Sequence, residues 1–114
     1  MNSVIEVRHY VTQKGKDVFG DWLLRLADAH ARARIAIRID RLATGNFGDC
    51  KHLSHGVSEL RIDQGPGYRV YYAMVGSVCV LLLCGGDKRK QSSDIGRAIE
   101  FLKDYKQRTE TNET

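Results

Sequence analysis

Hydrophobic and polar residues alternate from Val4 to Tyr10, with Ile5, Val7 and His9 set against Val4, Glu6, Arg8 and Tyr10, which predicts a first strand. The period changes over Asp17–His30, where Val18, Phe19, Trp22, Leu23 and Leu26 recur at helical intervals; Gly20 works against that helix. A second helix is expected over Ala31–Thr44. Ala31, Ile35, Ile39 and Leu42 form one stripe, Arg34, Arg38 and Arg41 form another, and Gly45 supplies a stop. The two helices are expected to make an antiparallel hairpin. Asn46–His55, which contains Lys51, His52 and His55, reads as a loop.

Three strands are expected next, at Val57–Ile62, Tyr68–Met74 and Val78–Cys84. Gly65-Pro66-Gly67 and Val75-Gly76-Ser77 are the connections between them. Ser92 or Ser93 is a candidate cap for a last helix, with Asp94 in its first turn and Ile95, Ala98, Ile99 and Leu102 as its apolar stripe. The order is β-α-α-β-β-β-α. It predicts an α+β fold whose mostly antiparallel sheet carries the helical hairpin on one face. Residues 1–108 are expected to be a single domain and residues 109–114 a frayed polar tail.

Composition narrows the class only slightly. The 114 residues are 42% hydrophobic and 28% charged, an ordinary globular balance, with a net charge of +4 that permits an acidic partner without specifying one. The three cysteines lack CxxC spacing, and alternation places Cys79 and Cys84 on opposite strand faces; this pattern fits a reducing compartment. No apolar run approaches membrane-spanning length and the amino terminus has no signal-peptide core, so a cytoplasmic protein without membrane contacts is expected.

The chemistry concentrates in Glu59–Tyr72, ELRIDQGPGYRVYY. Alternation turns Leu60 and Ile62 towards a core and places Glu59, Arg61, Arg69 and Tyr71 on the other, exposed face. Lys88-Arg89-Lys90 follows the next strand, and the cations together suggest a phosphate-binding surface. Taken alone, Arg61 reads as a partner of Glu59 or Asp63, and the Arg34, Arg38, Arg41 stripe as a solvated helix face, with ribosomal RNA contact as the sharper alternative. Gly85-Gly86 lacks the phosphate-loop pattern and is expected only to let the chain leave the strand.

The ELR…GPGYRVYY block, the LLLCGGDKRKQSSDIGRA block and the helical hairpin ahead of them resemble the RelE/HigB superfamily of toxins, in particular the addiction-module killer proteins. The resemblance spans about Ile5 to Tyr105. It implies a RelE-like fold, and a toxin of a type II toxin–antitoxin pair that cuts messenger RNA in the ribosomal A site. It further implies attack of a ribose 2′-oxygen on the neighbouring phosphate, with no metal or other cofactor. The implied partners are a helix-turn-helix antitoxin and, through the complex with it, operator DNA. Arg61, Arg69, Lys88 and Arg89 match the family's basic positions; Ile95 stands where some relatives carry a tyrosine.

On that reading Arg61, Arg69, Lys88 and Glu59 are the candidate catalytic residues. Arg89, Lys90, Lys51, His52 and Tyr71 are candidate RNA contacts, Tyr71 by stacking on a base. The arginines can neutralise a phosphorane but are too basic to exchange protons. Lys88, Lys90, Glu59, His52 and His55 stay open as acid or base. Two other readings of the resemblance are a ParE-like gyrase inhibitor without nuclease activity and a degenerate toxin that only binds its antitoxin.

Overall fold

The computed structural model describes residues 5–77 and 79–112. Its elements are strand β1 (Glu6–His9), helices α1 (Val18–Arg25) and α2 (Ala29–Ala43), and strands β2 (Cys50–His52), β3 (Ser58–Ile62), β4 (Tyr68–Val75) and β5 (Cys79–Asp87). A 3-10 turn (Lys88–Lys90) leads into helix α3 (Gln91–Asn112). The α+β class is as expected, with one strand more: Cys50–His52, expected within a loop, pairs with β3 at the edge of the sheet. Val4 and Val78, expected in strands, lie outside the described residues.

The sheet order is β1-β5-β4-β3-β2. β1 runs parallel to β5, and the other three pairings are antiparallel. Side-chain caps divide the helices. Asp17 accepts a hydrogen bond from the Gly20 amide at 3.0 Å and opens α1. A side chain at position 20 would collide with that carboxylate, 2.3 Å from an added Cβ, so this glycine serves the cap that starts its helix. Asp28 caps α2 through the Ala31 amide at 3.0 Å. The single helix expected over Asp17–His30 therefore stops at Arg25, and His30 belongs to α2.

Both faces of the sheet are covered. Leu60, Ile62, Val70, Tyr72, Val80 and Leu82 pack beneath Phe19, Ala31, Ile35 and Leu42 of the first two helices. Tyr71, Ala73, Leu81, Leu83 and Cys84 pack against Ala98 and Leu102 of α3. The assignment of residues to faces follows the alternation, but the second face is not open to solvent: the stripe of α3 needs an apolar partner and finds it there.

A bulge at Tyr71/Tyr72 pairs Tyr71 with Cys84 and Tyr72 with Leu82, leaving Leu83 as the extra residue. Leu83 and Cys84 consequently enter the same core, and Cys84 shares a face with Cys79 instead of opposing it. Both are free thiols. Gly85 and Gly86 belong to β5 and do not mark its exit. The Trp22 ring lies 2.4 Å from where a Cβ on Gly85 would sit, and Asp94 Oδ2 lies 2.0 Å from one on Gly86. Two bare positions thus let α1 and α3 approach the sheet from opposite sides.

The entry to α3 also differs from expectation. Asp87 accepts from the Arg89 amide at 2.9 Å and caps the 3-10 turn, whereas Ser93 Oγ donates to the Lys90 carbonyl at 3.2 Å. At its other end α3 continues to Asn112, into the segment expected to fray. Among the described residues no helix is long and apolar enough to cross a membrane.

Candidate phosphate-binding groove

Antiparallel pairing of β3 with β4 sets Glu59 opposite Tyr71 and Arg61 opposite Arg69. The Gly65-Pro66-Gly67 turn returns the chain between them, with φ +54° at Gly65 and +87° at Gly67, values that favour glycine. The Lys88 amide donates to the Gly67 carbonyl at 2.9 Å, which ties the 3-10 turn to the hairpin. A groove of about 290 Å³ results, lined by Arg61, Arg69 and Lys88 together with Asp49, Asp63 and the hairpin turn. Three of the four expected catalytic residues meet there.

Glu59, the fourth, lies behind the groove. It is fully buried rather than on an exposed face. Its Oε1 lies 3.4 Å from Arg61 Nε and its Oε2 3.4 Å from Arg69 Nε. Gln91 Nε2, at the start of α3, donates to Oε2 at 3.0 Å. A buried carboxylate needs such partners; Arg61 donates a hydrogen bond to it, whereas Arg69 Nε makes a charge contact without a hydrogen-bond partner among the described residues. Arg61 keeps 37% of its side chain exposed and Arg69 13%, so Arg61 is the more open of the two to a ligand.

The candidate RNA contacts do not assemble in one place. Tyr71 is fully buried beneath α3 and cannot stack on a base. Among the described residues its hydroxyl has no hydrogen-bond partner, and burial, with the charges of Glu59 and Asp94, pushes its pKa up. Lys51 is exposed on the edge strand opposite Glu59, and Lys90 is exposed on the 3-10 turn; neither lines the groove. Arg89 points to solvent and pairs with Asp87 at 3.1 Å; that contact holds the Asp87 carboxyl below its ordinary value. His52 is opposite Ser58 and bonds its Oγ through Nδ1 at 2.7 Å. One position along from Lys51, it faces the other side of the sheet. His55, at φ +56°, belongs to the turn joining β2 to β3.

Sequence reasoning missed several residues of the site. Asp49 and Asp63 are exposed loop carboxylates whose nearness depends on the β2–β3 pairing. Gln91 reaches Glu59 across 32 positions, with no periodicity to announce it. Arg38, expected on a solvated helix face, instead donates to the carbonyls of Arg61 at 2.6 Å, Asp49 at 3.0 Å and Phe47 at 3.2 Å, clamping α2 to the backbone beneath the groove.

The family model for the phage derived protein Gp49-like family (DUF891) matches residues 21–110, a span that contains every residue of the groove and its support. The chain belongs to the Gp49-like family. This family is associated with toxin–antitoxin modules and comprises RelE-like toxins, so membership implies an antitoxin partner. A Haemophilus influenzae member, described only as an uncharacterized protein, is 52% identical over 80 residues, which cover 70% of this chain and 81% of the relative.

Proposed function

We propose that this Gp49-like protein is a RelE-like endoribonuclease toxin that cuts messenger RNA on the ribosome, in the cytoplasm. The convergence of Arg61, Arg69 and Lys88 on one groove carries the reading. In the proposed reaction the 2′-oxygen attacks the adjacent phosphorus, forming a 2′,3′-cyclic phosphate as the bond to the 5′-oxygen breaks. Arg61 and Arg69, held by Glu59, face the phosphoryl oxygens and stabilise the added charge. The Lys88 ammonium donates a proton to the leaving 5′-oxygen. The carboxylates of Asp49 and Asp63 are the groove groups able to accept the 2′ proton. Glu59 is a positioning residue in this scheme because its carboxylate is sealed behind the arginines.

A translation extract supplied with one defined message tests this reading. Wild-type protein is expected to cut the message only while it is being translated, and Lys88→Ala is expected to lose at least a hundredfold in cleavage rate. An intact message, with growth arrest in cells, would point instead to the gyrase-inhibitor reading; an intact message with normal growth, to a protein that only binds its antitoxin.

A further inference from the structure

The groove holds three cations, Arg61, Arg69 and Lys88, but also Asp49 and Asp63, with Glu59 directly behind it. Its charges nearly balance, so it attracts a polyanion only weakly over distance. The compensating charge lies next door. A second groove, of about 310 Å³, is lined by Arg34, Ile37, Arg38 and Arg41 of α2 and by Ile62 and Asp63. Ile62 and Asp63 line both grooves, which therefore adjoin at the end of β3. From Arg61 to Asp63 is roughly 7 Å at a strand rise of about 3.3 Å per residue.

The arginines of the second groove differ in what they already do. Arg38 is committed to three backbone carbonyls. Arg34 makes one long contact, donating to the Asp63 carbonyl at 3.5 Å. Arg41 is exposed, and among the described residues its side chain has no hydrogen bond or ion pair. A guanidinium carries five N–H donors, so Arg34 and Arg41 retain donors for phosphate oxygens. Between them Ile37 is 50% exposed, an apolar surface against which a base can rest.

We infer that the α2 groove is a second phosphate-binding subsite, which holds the flanking nucleotides of the same single RNA strand whose scissile phosphate lies at Arg61, Arg69 and Lys88. The inference rests on the ribonuclease reading and adds a division of labour to it. The first groove carries the chemistry, and the second carries affinity for the strand. A nucleic-acid backbone suits both because it repeats phosphates along a line, whereas a single small anion would fill only one groove.

The test uses 5′-labelled 2′-O-methyl RNA strands of three and nine nucleotides, which cannot be cleaved because the 2′-oxygen is capped. Binding is read by fluorescence anisotropy at several salt concentrations. The intact protein is expected to bind the longer strand at least tenfold more tightly than the shorter. Arg34→Ala/Arg41→Ala alters only exposed side chains and leaves the Arg38 clamp in place. It is expected to bind the short strand as wild type does and to lose the length-dependent gain. Its salt slope for the long strand is expected to fall by about 1.4, at ~0.7 per phosphate contact.

Equal affinity for the two strands in wild type, wild-type affinity for the long strand in the double variant, or no binding of either strand overturns the subsite. None of these results decides the ribonuclease reading, which is scored separately by message cleavage in the translation extract. Conversely, an uncut message there with length-dependent binding here would retain the subsite and reject the chemistry.

Discussion

Glu59 and Arg69 meet across neighbouring strands with Oε2 and Nε 3.4 Å apart, the carboxylate side chain 1% exposed and the guanidinium 13% exposed. The pair explains why a wholly buried acid lies behind the groove: its charge offsets that of a largely buried guanidinium. The same carboxylate reaches Arg61 and accepts from Gln91, so one buried group organises β3, β4 and the start of α3.

Removing Glu59 should therefore unsettle the fold as well as the site. Glu59→Ala leaves Arg69 largely buried without its counter-charge, and the expected loss is about 3 kcal/mol, the lower part of the range for breaking a buried pair. Urea unfolding measures it. A loss below about 0.5 kcal/mol, the level of an ordinary surface substitution, would show that the pair does not hold the hairpin.

Lys88 permits the opposite experiment. Its side chain is exposed and, among the described residues, makes no hydrogen bond or ion pair, so Lys88→Ala is expected to change stability by less than about 0.5 kcal/mol. Cleavage should nevertheless fall at least a hundredfold. Lys88→Arg keeps the charge but cannot readily give up a proton, and should recover binding far better than rate. A Lys88→Arg variant as fast as wild type would remove Lys88 from proton transfer.

The glycine pair in β5 predicts a coupled effect. Gly86→Ala drives a methyl into Asp94 Oδ2, and the expected cost is about 1–3 kcal/mol from overpacking. Combining it with Asp94→Ala vacates the contested space, so the double variant should be more stable than the sum of the single losses allows. Strict additivity in a double-mutant unfolding cycle would contradict the packing described.

Asp94 also supplies a pH dependence. Burial raises its carboxyl pKa above the usual 3.8, opposed by the nearby Arg97. A carboxyl whose pKa is higher when folded binds its proton more tightly in the native state. Its contribution is thus fully present below about pH 3.8 and is lost as the pH rises through the folded-state value. Relative to Asp94→Asn, wild type should gain stability on acidification through that window. Urea unfolding of both proteins from pH 7 to 3.5 follows the difference; a constant difference would contradict the shift.

Much of this was legible in the chain itself. Alternation in the expected strands Val57–Ile62 and Tyr68–Met74 assigns Leu60, Val70 and Tyr72 to one face and Tyr71 and Ala73 to the other, and the structure agrees. The α3 stripe of Ile95, Ala98, Ile99 and Leu102 likewise packs inwards. What alternation does not encode is what covers each face. Glu59 and Tyr71 have the sequence context of exposed positions and are buried only because α3 returns across them.

Short elements were the other blind spot. Three residues, Cys50–His52, are too few to display a period, and pairing with β3 alone makes them a strand. The extra residue at Leu83 inverts the parity of everything after it, so counting from Cys79 to Cys84 gives the wrong face. The site itself was half visible. Arg61, Arg69 and Lys88 stand out as cations around one hairpin, whereas Gln91 and Arg38 act through contacts that exist only once the helices are docked.

In the proposed function the groove of Arg61, Arg69 and Lys88 cleaves messages during translation. Its most direct test is a map of new 5′ ends on messenger RNA after brief induction of wild type and of Lys88→Ala, the substitution least able to disturb the fold. New ends confined to translated regions in wild type, and absent from the variant at equal protein level, are the predicted result. Identical cleavage maps for the two proteins, or intact messages in wild-type cells that have stopped growing, would contradict it.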